Sequence, residues 1–206
     1  MNNLKERVTI YEVAKASGVS LATVSRVINK QGSMTEATRK KVEETIQKLK
    51  PQVDFIILCV NWGEKSSVTP NKNQIAWAKN LAGLGVNLII GNFPSYVQPV
   101  TYVKHENGNC ALVFFSLGIL VGDNPSKPDA LGALANIVIS KENGKTTISS
   151  YNLIPTINHQ GELDNYSVYK LTEYDEDLGK EIHKKFSLDR VKKICRNTMG
   201  AFAHCG

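Results

Sequence analysis

Pro51 divides this chain more sharply than any other residue. Before it, KVEETIQKLK has the charged, 3.6-period pattern of an amphipathic helix. Two residues after it, VDFIILCV is a continuous apolar run rich in β-branched residues. The apolar run matches a strand covered on both faces. A fold for this chain must therefore carry a small helical unit directly into the interior of an α/β sheet. That expectation divides the 206 residues into 1–50 and 51–206.

Charge follows the same division. The net charge is +6, and residues 1–50 hold ten Lys and Arg against five Glu, while residues 51–206 hold fifteen basic against fourteen acidic residues. A basic surplus concentrated in one quarter of a chain suits a polyanionic partner, although a solvated basic helix face carries the same charge. No apolar run reaches the ~20 residues of a membrane-spanning helix. The opening MNNLKERVTIYE is too polar for a secretory signal. These features predict a cytoplasmic protein with no membrane contact.

The first fifty residues show three helix starts. Thr9 with Glu12 forms a capping box, and Ile10, Val13 and Ala14 share a face that ends at Ser17-Gly18. Ser20 can cap a second helix whose apolar stripe is Val24, Val27 and Ile28. Ser33 with Glu36 offers another capping box, followed by a stripe of Val42, Ile46 and Leu49. Ala14 allows a close helix crossing, Gly18 supplies a sharp turn, and Val24 anchors the second helix. This is the spacing of a helix-turn-helix.

VTIYEVAKASGVSLATVSRVIN with TEATRKKVEETIQKLKP resembles the DNA-binding headpiece of LacI/GalR-family repressors over residues 8–51. The resemblance implies that the helix from Leu21 enters the major groove of double-stranded DNA. Leu21, Ala22 and Arg26 would face base edges there. Arg26 alone among them can make a bidentate contact, typically to guanine. Thr9, Tyr11, Ser20, Thr23, Ser25 and Asn29 would hold phosphates and fix register. The family's hinge helix and ligand-binding core do not follow Pro51. Specific binding therefore requires residues 51–206 to make a homodimer, since two half-sites must be held at fixed spacing.

In the remainder, VDFIILCV, a helix over 73–84 and a strand over 86–90 form a β-α-β unit with a parallel pair. The expected inward residues of the helix are Ile75, Ala78, Leu81 and Ala82, with Gly85 beyond its end. Gly91–Ser95 then lies at a strand's carboxyl end, where α/β sheets bind ligands. A strand over 110–121 breaks at Gly118. Two further strands flank Glu142-Asn143-Gly144, a tight hairpin turn. From Asp175 to Arg196 the pattern is helical and charged. The fold class read from sequence is α/β: a small all-α bundle followed by a partial α/β domain with an incomplete sheet.

VDFIILCVNWGE, PNKNQIAWAKNLAGLGVNLIIGNFPSYVQPV, VFFSLGILVGD and YSVYKLTEYDEDL resemble CapA-type poly-γ-glutamate capsule synthesis proteins. The likeness covers about residues 53–190 and implies a metallophosphoesterase-like fold. That family's pattern places histidines at strand ends, where imidazoles hold metal ions. Here those places hold Asn61, then Asn92, Phe93 and Ser95, and finally Ile119. Asn is a feeble transition-metal ligand and Phe is none. The expectation is a degenerate site with no catalytic residues, no metal and no cofactor. His105, His159, His183 and His204 match no ligand position.

Three lesser features have plain explanations. Trp62 and Trp77 suit core packing better than a pocket lining. The acidic run Glu173–Asp177 suits a helix start, its acids at the positive end of the dipole. Cys59 and Cys110 read as reduced, buried thiols, and Cys195 with His204 and Cys205 makes only a poor metal set. Three functions remain open: a sequence-specific DNA-binding protein, a capsule-type or metal-dependent hydrolase relative, and a non-catalytic module gripping an anion or peptide through the 92–99 loop. The retained helix-turn-helix residues favour the first.

Overall fold

A computed structural model describes residues 36–122, 131–160, 166–182 and 184–199. The first two of the three expected helices, and every residue assigned to DNA, lie outside these. The described part begins with α1 (Glu36–Leu49), which tightens into a single 3-10 turn over Lys50–Gln52 with Pro51 inside it. The chain then runs through β1 (Ile57–Asn61), α2 (Lys72–Leu84), β2 (Leu88–Asn92), β3 (Val97–Lys104) and β4 (Cys110–Leu117). A second set follows: β5 (Leu131–Glu142), β6 (Lys145–Gln160), β7 (Tyr166–Lys170), α3 (Glu176–Ile182) and α4 (Leu188–Met199).

Two sheets result. The first has the order β1-β2-β4-β3, with β1, β2 and β4 parallel and β3 antiparallel to β4. The second is an antiparallel β5-β6-β7 meander. Its first hairpin closes on Asn143 and Gly144 at φ +51° and +77°, the paired left-handed residues that a two-residue turn demands.

The strand period of two sorts the side chains of β4 into two cores. Ala111, Val113 and Phe115 face α1 and α2, while Leu112 and Phe114 face the second sheet and α4. The fold is thus mixed α/β, as the sequence indicates, with a helical layer on one face of the first sheet and a second sheet on the other. The helix-side core also crosses Pro51. Ile46 of α1 is 2% exposed and packs with Leu58, Val60 and α2, and Leu49 packs against the same cluster. Asn80 Nδ2 donates to Glu43 Oε1 at 3.1 Å, joining α2 to α1.

Four expectations need correction. Ile75 is 48% exposed, and the buried stripe of α2 is Gln74, Trp77, Ala78, Leu81 and Ala82. Gln74 is drawn inward because it closes a capping box with Asn71 and bonds Gln98, which rotates the buried face. Cys59 and Cys110 are exposed thiols. β1 is an edge strand, and the second sheet covers Ile57 only in part and leaves Cys59 bare. A continuous apolar run therefore does not here mean two covered faces. The strands at 57–61 and 88–92 also start later and end later than expected.

Candidate functional site

The carboxyl ends of the parallel strands bring the expected site positions together. Asn61 ends β1, Asn92 ends β2, and the two are register partners. Behind them stands Trp62. Its backbone N–H donates to Asn92 O at 3.1 Å, and its indole Nε1–H donates to Phe115 O at 2.7 Å. Its ring stacks on Phe115 at 5.5 Å. Gly91 lies beneath that bond, where a Cβ would strike both the indole nitrogen and the Phe115 carbonyl. The strand ends are locked together at this point.

Phe93 follows at φ +95° and is 49% exposed. A non-glycine residue held there costs about 1–3 kcal/mol, so both flanks must fix it. They do. Asn92 is held by the sheet, and Pro94 O accepts from Ser116 Oγ at 2.9 Å. Ser116 Oγ also accepts from Gly118 N at 3.1 Å, turning the chain at the end of β4. Gly118, at φ +71°, would meet Leu131 O at 2.7 Å if it bore a Cβ. Ile119 comes next and is half-buried, as is Ser95.

A second polar lock was not read from the sequence. Gln74 is 2% exposed and donates through Nε2 to Gln98 Oε1 at 2.8 Å. Gln98 Nε2 donates to the carbonyls of Ser67 and Thr69, each at 3.0 Å. The loop after β1 is thereby strapped across β3. Asn71-x-x-Gln74 is a capping-box pattern, so this signal was available. Beside the strap, Val68, Tyr96, Val97, Leu131, Ile194 and Asn197 help line a cleft of about 420 Å³.

This set does not fit a catalytic metal. Asn61 and Asn92 supply only exposed neutral amides, and Phe93 and Ile119 supply hydrocarbon. Among the described residues, no three His, Cys, Asp or Glu side chains group closely enough to hold an ion. His105 lies in the β3–β4 turn, at the end of β4 away from Ser116, where its Nδ1 accepts from Asn107 N at 3.1 Å. His159 is buried, with Nδ1 2.9 Å from the Tyr174 hydroxyl. Burial, then the neighbouring Tyr169, Asp175 and Glu181, push that phenol up to about 12. Trp62 and Trp77 are core residues, 2% and 4% exposed. Asp175 Oδ1 accepts from Leu178 N at 2.8 Å, so the acidic run opens α3. Leu21, Ala22 and Arg26, and with them Thr9, Tyr11, Ser20, Thr23, Ser25 and Asn29, lie outside the described residues.

The family described as bacterial capsule synthesis protein PGA_cap matches residues 6–124. Catabolite control protein A of Streptococcus mutans is 53% identical over 47 residues, 23% of this chain and 14% of that protein. The HTH-type transcriptional regulator GalR of Escherichia coli is 33% identical over 110 residues, 51% of this chain and 27% of its own. The PGA biosynthesis protein CapA of Bacillus subtilis is 28% identical over 78 residues, 38% of this chain and 19% of its own. The chain spans between 14% and 27% of the length of these relatives. Regulators and capsule proteins thus meet in one composite chain, and the capsule family match extends further toward the amino terminus than residue 53. Among the described residues no helix is long and apolar enough to cross a membrane.

Proposed function

The chain belongs to the PGA_cap family of bacterial capsule synthesis proteins; from its likeness over a shorter segment to regulators such as catabolite control protein A, we propose that it acts as a sequence-specific, cytoplasmic DNA-binding protein. In this reading residues 1–50 are the DNA-binding unit and residues 51–206 are a carrier without a catalytic centre. The helix from Leu21 to Lys30 enters the major groove, and Arg26 reads a base. Thr9, Tyr11, Ser20, Thr23, Ser25 and Asn29 hold phosphates. One observation carries the choice: the strand ends where an α/β hydrolase would need ligands present Asn61, Asn92, Phe93, Ser95 and Ile119. The reading half keeps its chemistry and the sheet half does not. The likeness to catabolite control protein A supports the same assignment.

Sequencing the genomic fragments retained by the full chain at moderate salt tests it, with an inverted repeat as the expected enrichment. Arg26→Ala should cost about 1–3 kcal/mol at that site and relax preference at one base pair. Unchanged affinity and unchanged preference would sink the assignment. The family match favours a second reading, a capsule-polymer protein. Stoichiometric Mn, Fe or Zn in the purified chain, measured by elemental mass spectrometry, would support that reading instead.

A further inference from the structure

We propose that Asn143 is a site of self-modification, where the folded chain closes a succinimide and ends as aspartate or isoaspartate, while Asn107 is protected. The chain has two Asn-Gly pairs, and both read Glu-Asn-Gly: Glu106-Asn107-Gly108 and Glu142-Asn143-Gly144. Such a pair is the least hindered substrate for this chemistry, because the glycine nitrogen has no side chain beside it. The Gly144 nitrogen bonds to Asn143 Cγ and gives up its proton. The Cγ–Nδ2 bond breaks, and the amide leaves with that proton as ammonia. Water then opens the ring at either carbonyl, giving the two products. Nothing is oxidised or reduced.

Solvent access does not separate the two pairs. Both asparagines are exposed, and a Cβ built at Gly108 or Gly144 would meet nothing within 4 Å. Hydrogen bonding does separate them. Asn107 Nδ2 donates to Gly83 O at 3.0 Å, and its Oδ1 accepts from Asn109 N at 3.1 Å. The nitrogen that would attack, Gly108 N, donates to His105 O at 3.0 Å. Asn109 Nδ2 gives Gly83 O a second bond at 3.0 Å, fixing this turn to the end of α2. Swinging Asn107 Cγ onto Gly108 N breaks the first three of these bonds. Asn143 stands instead at the tip of the β5–β6 hairpin, between the register partners Glu142 and Lys145, which are also exposed. Among the described residues its amide makes no hydrogen bond, and Gly144 N donates to no carbonyl. The left-handed backbone at φ +51° has to turn out before the ring closes, and the short turn is what resists. Aspartate keeps that turn, since Asp-Gly suits it as well as Asn-Gly. Isoaspartate adds a backbone atom to it and undoes the Glu142–Lys145 register.

The test is to age the full chain at mildly alkaline pH, map its peptides by mass spectrometry, and count isoaspartate with a protein isoaspartyl methyltransferase. Folded chain should lose Asn143 at least about tenfold faster than Asn107, because the bonds that must open at Asn107 have no counterpart at Asn143. In urea the two should react alike, since the local sequence alone then decides. Like rates in the folded chain overturn the proposal, as does a faster Asn107. So does an Asn143 that reacts in urea yet survives in the folded chain, because the turn is then the protection. Asn143→Gly keeps a turn of the same type and should leave the circular dichroism spectrum unchanged while removing the isoaspartate. Isoaspartate undiminished in that folded variant places the reaction elsewhere and also overturns the assignment. None of these readings depends on DNA binding.

Discussion

The two faces of the first sheet are covered unequally, and the difference locates the chain's weak side. On the helix face, α2 and the end of α1 cover β4, β2 and β1, so that Leu58 and Val60 of β1 are 1% and 2% exposed. On the other face the second sheet covers β4 and β2 well but fades over β1, leaving Cys59 bare. The helix face owes its completeness to a residue from before Pro51. Ile46 belongs by sequence to the first fifty residues and by packing to the α/β body. The junction that looks like a seam in the sequence is a shared core in the fold.

Three substitutions can break or sharpen this contrast. The largest effect is expected for Trp62→Ala on the helix face. It removes the stack on Phe115 and leaves the Phe115 carbonyl unpaired, for a loss of about 3–5 kcal/mol by urea unfolding. A loss below 1 kcal/mol would show that the strand ends are not locked as described. Ile46→Ala comes next, at about 2–5 kcal/mol, and should destabilise the whole body cooperatively. A transition in which the sheet unfolds unchanged would separate α1 from that core. The smallest is Tyr174→Phe on the other face, which loses one hydrogen bond to His159, about 0.5–1.5 kcal/mol. It also has a pH signature. The Tyr174 phenol is pushed up to about 12 in the folded chain, so the folded state holds its proton where the unfolded chain, near 10, has released it. That stabilisation is complete below pH 10 and is lost as pH rises toward 12. Wild type should lose more stability than Tyr174→Phe across that window, and equal slopes would refute the assignment.

Local chemistry was legible in the sequence, and position within the sheet was not. Asn143-Gly144 announces its hairpin, Gly85 its helix end at φ +98°, and the alternation of β4 its two-faced burial. The site positions from Asn61 to Ile119 fall at strand ends because strand polarity is set by the β-α-β connection. Cys59 was misread because being an edge strand depends on which other strands exist, which no window around residue 59 encodes. Ile75 was misread because a polar side chain with a buried partner displaced an apolar one, and Gln98 is distant in sequence. The strap itself needed the fold before it could be seen, since it joins Gln74 to Gln98, and Gln98 to the carbonyls of Ser67 and Thr69, across long stretches of sequence.

Both tryptophans of the chain, Trp62 and Trp77, lie in the helix-face core, while Tyr151, Tyr169 and Tyr174 gather in or against the other. The molecule therefore carries a separate optical reporter for each face. Indole emission follows the core that α1 completes, whereas near-ultraviolet tyrosine dichroism is weighted toward the other face, with Tyr102 of β3 contributing through its edge contact to Tyr151. Coincident melting of the two signals marks one cooperative unit, and a gap between them measures, in degrees, how independently the two faces come apart.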